Sequence, residues 1–221
     1  MTDVAALIGD STRAAMLDAL MDGEARPAGE LARRAGVAPS TASEHLARLV
    51  EGRVLSVEPR GRERRYRLAS VEVAEVLEAL SCLGSETPVT SLRAAGRNEA
   101  LRAARTCYDH LAGRLGVAVT EALVEREALR ARNGSFELTG GGEAFLAELG
   151  VDVAGARARK RVFARACLDW SERRPHLAGA LGAALAEAAL AQQWVRRRPN
   201  DRALRITPEG AKAFRDRIGV R

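Results

Sequence analysis

The sequence predicts a mainly α-helical protein with small β-hairpins, divided into two regions. Three observations predict it. Of its 221 residues 47% are hydrophobic but only 4% aromatic, so a core of ordinary size has to be filled by alanine and branched aliphatics recurring at helical spacing. Short alternating runs, separated by turn formers, interrupt that pattern after Arg53, after Ala128 and after Trp194. Gly84-Ser85-Glu86-Thr87-Pro88 gathers turn formers between two helical runs and marks a boundary. The expected organisation is a first domain over 1–83, a linker over 84–96 and a second domain over 97–221.

In the first domain the pattern predicts short helices at about Val4 to Ile8, Thr12 to Met21, Ala28 to Ala35 and Pro39 to Glu51. Gly36 permits the conformation that ends the third helix, and Pro39 suits the first turn of the fourth. Ala38 is a poor N-cap where Ser or Asp would be better. Leu31 and Ala32 face the core on the third helix, and Ala42, Leu46 and Leu49 form the buried stripe of the fourth. Two strands then follow, Val54 to Val57 and Arg64 to Leu68, with Pro59 to Glu63 as a loose turn. An apolar helix carrying Val71, Val73, Ala74, Val76, Leu77 and Leu80 closes the domain.

Two helices joined through Gly36 have the spacing of a helix-turn-helix. On the second of them Ser40, Thr41, Glu44 and Arg48 point outward, with Ser43 and His45 at the margins. Small hydroxyls at a helix N-terminus let it approach a phosphate and enter the major groove of double-stranded DNA. A glycine between two short helices is equally compatible with plain helix packing, but the hairpin adds to the DNA reading. Arg60, Arg62, Arg64 and Arg65 cluster at its tip, as a wing lying along a phosphate backbone requires. A winged helix used for protein contact instead of DNA is the rival reading.

With these residues in view, 5–83 resembles the ArsR family of winged-helix transcriptional repressors. Ile8-Gly9-Asp10-Ser11-Thr12-Arg13 is similar to its opening, Pro39-Ser-Thr-Ala-Ser-Glu-His-Leu46 to its recognition helix and Arg64-Arg65-Tyr66-Arg67-Leu68 to the far strand of its wing. The resemblance covers about a third of the chain. It implies a homodimer joined through the first helix and the helix at 71–83, bound to an inverted-repeat operator and released by an effector. Many members sense metals through cysteines before the recognition helix or through Asp and His on the dimer helix. Here Glu30-Leu31-Ala32-Arg33-Arg34 has no cysteine and 71–82 has no histidine, so that sensing does not carry over.

The second domain contains an internal repeat. His110-Leu-Ala-Gly-Arg-Leu-Gly116 returns as His176-Leu-Ala-Gly-Ala-Leu-Gly182, each followed by an Ala-rich helix and a basic strand. Leu129 to Arg132 precedes an Asn133-Gly134 turn, and Val195 to Arg198 precedes Pro199-Asn200-Asp201. Thr139 and Thr207 are placed to cap the next helices, which carry Phe145 and Phe214. Each half therefore reads as helix, hairpin, helix, resembling a winged helix.

Cys107, His110, Cys167 and His176 are the candidates here for an effector site that takes a metal ion or a thiol-redox signal. Cys107 and His110, three apart, would share a helix face and could hold a soft metal. The blander reading is small buried hydrophobes and histidines at helix starts. Cys82 reads as packing in the dimer helix.

Net charge is +6, with a pI near 10.0. Residues 1–83 hold 11 Arg against 13 Asp plus Glu, a net of −2, which leaves +8 for the rest. Two basic clusters account for much of it: Arg157, Arg159, Lys160, Arg161 and Arg165, then Arg196, Arg197, Arg198, Arg202 and Arg205. Solvated faces, added DNA contact and an anionic effector site all remain open for them. The sequence shows no Gly-rich loop followed by Lys, no His-Glu-x-x-His and no Gly-x-Ser-x-Gly, so an enzyme is not expected. Three widely spaced cysteines and the lack of a long apolar stretch or a basic leader predict a cytoplasmic protein with no membrane span.

Overall fold

The computed structural model describes residues 2–61, 63–84, 92–198 and 201–220. The chain divides into two compact units, 1–78 and 79–221.

The first unit runs α1 (Thr2–Ile8), α2 (Ser11–Asp18), β1 (Arg26–Pro27), α3 (Ala28–Ala35), α4 (Pro39–Glu51), β2 (Leu55–Arg60), β3 (Glu63–Leu68) and the start of α5 (Val71–Leu83). Asp10 caps α2 by accepting from the Arg13 amide at 2.9 Å. Gly36 ends α3 at φ 68°, the left-handed conformation that glycine adopts without a steric cost. Ala38 makes no side-chain cap for α4. Met16, Leu17, Leu20, Leu31, Leu46, Leu49, Leu55 and Leu68 are buried and form the core. The helix expected to reach Met21 stops at Asp18, and Arg26 Nε donates to the Ala19 carbonyl at 2.8 Å just past its end. The loop expected over Pro59 to Glu63 is tighter than the sequence suggests. Arg60 pairs with Glu63 and Pro59 with Arg64, and Gly61 turns the chain at φ 63°. The sheet order β1-β3-β2 makes β2 an edge strand, where a proline is tolerated.

The second unit continues α5 and then has α6 (Leu92–Ala103), β4 (Arg105–Cys107), β5 (His110–Ala112), α7 (Gly113–Glu125), β6 (Leu129–Arg132), β7 (Ser135–Leu138), α8 (Gly140–Glu148) and α9 (Val153–Ala158). It goes on through β8 (Arg165–Leu168), β9 (Pro175–Ala178), α10 (Gly179–Ala191), β10 (Val195–Arg197), β11 (Leu204–Ile206) and α11 (Pro208–Ala213), and a π-helical turn Phe214–Ile218 follows. Helix α6 begins inside the stretch expected to be a linker. Strands β6-β7-β8-β9 form one antiparallel sheet, while β4-β5 and β10-β11 are separate pairs. The core joins Leu123, Leu129, Leu146, Leu149, Leu181 and Leu185 to Trp194, whose ring meets Phe214 edge-on at 5.6 Å. Thr139 and Thr207 cap as expected, accepting from the amides of Gly142 and Gly210 at 2.9 Å each.

One expectation is corrected here. Cys107 and His110 do not share a helix face; they face each other across the β4-β5 ladder, as Cys167 and His176 do across β8-β9. The glycines explain why. Gly113 at φ 73° and Gly179 at φ 81° bend the chain from strand into helix, so each histidine lies before the bend and not at a helix start. A Cβ at Gly116 would lie 2.4 Å from the Leu111 carbonyl oxygen, and one at Gly182 would lie 2.4 Å from that of Leu177. The repeated motif is thus a strand lying tightly across the helix that follows it.

Candidate functional site

Two groups of side chains stand out, one in each unit. On α4 the residues Ser40, Ser43, Glu44, Ala47 and Arg48 are exposed along one face, and Thr41 is half-buried. Ala42, Leu46 and Leu49, fully buried on the other face, fix that orientation. Ser43 Oγ donates to the Pro39 carbonyl at 2.9 Å, which leaves its lone pairs outward as acceptors. Ala47 lies in the middle of the face.

His45 is turned the other way. Arg13 Nη1 lies 3.2 Å from its Nδ1, with Asp10 Oδ1 3.6 Å away. The buried Arg13 also donates to the carbonyls of Leu7 at 2.6 Å and Ala6 at 2.8 Å. His45 therefore ties α4 to the α1-α2 corner.

At the wing, Arg60 and Arg64 are exposed and make no ion pair among the described residues. Arg65 is held back: its Nε donates to Glu63 at 2.8 Å and its Nη1 to the Ala25 carbonyl at 3.1 Å. Arg62 lies outside the described residues.

In the second unit Cys107, His110, Cys167 and His176 come together, and all four are buried. Their donor atoms lie within 4.8 Å of one another. The sulfurs are 4.0 Å apart and the two Nε2 atoms 3.2 Å apart. Cross-strand pairing places each Cys beside its His, and the buried Ala112 and Ala178 let the two hairpins close on each other.

Sequence reasoning missed the groups behind the imidazoles. Asp109 Oδ1 lies 3.2 Å from Nδ1 of His110, and Asp169 Oδ2 lies 3.4 Å from Nδ1 of His176. The signal was present as Cys107-Tyr108-Asp109 and Cys167-Leu168-Asp169, the same Cys-x-Asp in both halves. Each carboxylate has its own arginine: Arg161 at 2.5 Å from Asp109 and the fully buried Arg105 at 3.0 Å from Asp169.

Electrostatics follow from this packing. Burial raises Asp109, but His110 and Arg161 outweigh it and hold the carboxyl below its usual range. The same contest ends the same way at Asp169, through His176 and Arg105. The hydrogen bond with Cys107, joined by those with the two imidazoles, holds the Cys167 thiol far below its ordinary range against burial. Burial opposes a charged His176, yet Asp169 and Cys167 raise it to about 9. Such a cluster can hold a soft or borderline metal ion, or expose a thiolate to an oxidant.

The basic clusters of this unit differ from each other. Arg157, Arg159 and Arg161 are engaged with Glu143, Glu187 and Asp109. Arg196, Arg197, Arg198 and Arg205 are exposed on or beside β10 and β11. Among the described residues, no helix is long and apolar enough to cross a membrane.

Residues 8–58 match the family model of a helix-turn-helix domain. A protein of Bacillus subtilis (strain 168), described as the uncharacterized HTH-type transcriptional regulator YdfF, is 44% identical over 218 residues, covering 99% of this chain and 96% of that one. Among solved structures, NolR from Sinorhizobium fredii is 26% identical over 39% of this chain and 85% of its own, with a TM-score of 0.36. The cadmium sensor CMTR from Mycobacterium tuberculosis is 29% identical over 42% of this chain and 100% of its own, with a TM-score of 0.31. With a helix-turn-helix presented as described and a relative matched along nearly its whole length, the chain belongs to the family of HTH-type transcriptional regulators.

Proposed function

We propose that this regulator is a homodimeric repressor that binds an inverted-repeat operator through 1–83 and leaves it when an effector acts on the region beyond. The observation that carries the reading is the exposed α4 face, where Ser40, Ser43 and Arg48 stand clear of the core, with Arg60 and Arg64 exposed on the adjacent wing and in no ion pair among the described residues. The helix reads base edges and the wing neutralises phosphates. Thr41 and Arg62 belong to the same surface in this reading, and Arg65 reaches a phosphate only by leaving Glu63.

The twofold partner is a second copy of the chain. Val76, Leu80 and Leu83 recur at four and three residues along α5 and are 50%, 44% and 83% exposed, an apolar ridge that a symmetric contact would bury.

Two winged-helix-like halves make up the C-terminal region in this reading. The succession β4-β5-α7-β6-β7-α8 and its counterpart β8-β9-α10-β10-β11-α11 support that description. This region holds the regulatory role, because two of the three cysteines and two of the three histidines sit there, while the N-terminal domain has no cysteine over 30–34 and no histidine over 71–82, where the related repressors carry their metal ligands.

The test is a mobility-shift assay with the chain's own promoter fragment. Retardation of that fragment at concentrations that leave unrelated DNA free is the expected result. Equal retardation of both, or of neither, would refute the reading and favour a winged helix used for protein contact. Repeating the assay with metals, oxidants and small molecules identifies the effector.

A further inference from the structure

We infer that Cys107, His110, Cys167 and His176 are the four ligands of one tetrahedral divalent metal site of the zinc class, which clasps the β4-β5 hairpin to the β8-β9 hairpin. The inference is separate from the DNA-binding reading. It rests on the directions in which lone pairs point, on distances and on charge.

The lone pairs come first. A carboxylate only accepts, and Asp109 at 3.2 Å and Asp169 at 3.4 Å favour the proton on the Nδ1 of their histidines, which leaves Nε2 of each ring to the cluster. The two Nε2 atoms then meet across 3.2 Å, a distance at which one proton bridges them when no metal is bound. A metal ion displaces that proton and takes the lone pairs of both nitrogens. An outer carboxylate that fixes the imidazole in this tautomer is the usual support of a metal-bound histidine.

The sulfur–sulfur and nitrogen–nitrogen distances agree with a metal. Ligand bonds of about 2.3 Å to sulfur and about 2.0–2.1 Å to nitrogen set tetrahedral edges of about 3.8 Å between sulfurs and about 3.3 Å between nitrogens. The observed separations are 4.0 Å and 3.2 Å. A Cys107–Cys167 disulfide, the rival use of these thiols, requires the sulfurs to close to about 2.05 Å and leaves the two facing histidines without a role.

Charge selects the ion. Arg161 and Arg105 already balance Asp109 and Asp169, which leaves two thiolates to neutralise a 2+ ion in a buried site. Two thiolates with two imidazoles suit a borderline-soft tetrahedral ion, and nothing in this ligand set offers the oxygens that calcium or magnesium requires. Four protein ligands leave no open position, so the ion serves structure and not hydrolysis.

The experiment uses the reduced full-length chain, stripped by a chelator and titrated with Co2+ and then Zn2+ in the absence of DNA. One Co2+ per chain is expected to give the intense ligand-field bands of a tetrahedral ion with a thiolate-to-cobalt charge-transfer band, and one equivalent of Zn2+ should abolish both. Cys107→Ser and Cys167→Ser should each weaken the charge-transfer band, whereas Cys82→Ser should keep the whole spectrum. Asp109→Asn should lower affinity about 10–100-fold with the tetrahedral spectrum retained, which a merely structural carboxylate would not do. A wild-type chain that is folded by circular dichroism, yet binds no Co2+ or gives only the weak spectrum of an octahedral ion, overturns the inference. So does loss of the tetrahedral spectrum in Cys82→Ser. Because no DNA is present, either failure leaves the repressor reading to its own assay.

Discussion

Replacing Arg60 and Arg64 by alanine should change how DNA binding depends on salt more than how it depends on sequence. Both guanidinium groups are exposed at the wing and, among the described residues, engaged with no carboxylate, so each can neutralise a phosphate. Each phosphate contact contributes about 0.9 to the slope of log K against log salt. A dimer presents two wings, hence four such contacts and a slope change of about 3.6 in the Arg60→Ala/Arg64→Ala protein. Between roughly 50 and 200 mM salt, a slope of that size is worth about 150-fold in affinity. Over that range the wild-type chain should therefore lose about 150-fold more affinity than the variant does. Fluorescence anisotropy on the operator and on a scrambled duplex, at four or more salt concentrations, measures both slopes. An unchanged slope, or a variant that loses preference for the operator while keeping its slope, would refute the phosphate assignment. Arg65→Ala is a poorer probe, since it also removes the bonds to Glu63 and to Ala25.

On α4, Arg48→Ala should weaken operator binding by about 1–3 kcal/mol while leaving nonspecific binding close to its original value, as measured by competition; unchanged affinity in both this variant and a Ser40/Thr41 double alanine would remove the recognition helix assignment. Leu80→Asp should turn the proposed dimer into a monomer in light scattering at micromolar concentration and abolish tight binding to a site whose halves lie about 34 Å apart. A wild-type chain that is monomeric and still binds its operator one to one would contradict that. Gly116→Ala should cost about 1–3 kcal/mol in denaturant unfolding, because its Cβ would lie 2.4 Å from the Leu111 carbonyl oxygen. Gly96→Ala, in α6 with open space around it, should instead stabilise by up to about 1 kcal/mol; equal effects at the two positions would show that the close approach is unimportant.

Much of the first unit could be read from sequence because its breaks are chemical. Gly36 and Pro39 punctuate the chain, and α3 ends and α4 begins where those residues direct. Strand β1 could not be read, since two residues show no alternation. At His45 the sequence stops short for a different reason: helical periodicity gives its place at the margin of α4 but not the guanidinium of Arg13, which arrives from 32 positions away. The error at Cys107 and His110 has a physical cause as well. Strands of three residues are too short to reveal a period of two, and the turn between them is Tyr108-Asp109, with Tyr108 at φ 59°. A left-handed tyrosine is an uncommon turn former, costing about 1–2 kcal/mol, so no turn signal appears in the sequence.

Asp169 explains why that strained arrangement persists. Helix α7 starts after Ala112, which has no side chain able to cap it, and Asp169 Oδ2 accepts from the Gly113 amide at 2.7 Å in its place. The same carboxylate group is bonded to the buried Arg105, to the hydroxyl and amide of Ser171, and lies beside His176. One residue of the later hairpin thus starts the helix that follows the earlier one and sets the ring of the histidine that joins the cluster. Removing one partner of a buried ion pair costs about 3–5 kcal/mol, since the other is left charged and dry. The later segment is therefore required by the earlier one, and the Cys and His residues are held at the junction by bonds that neither segment forms alone.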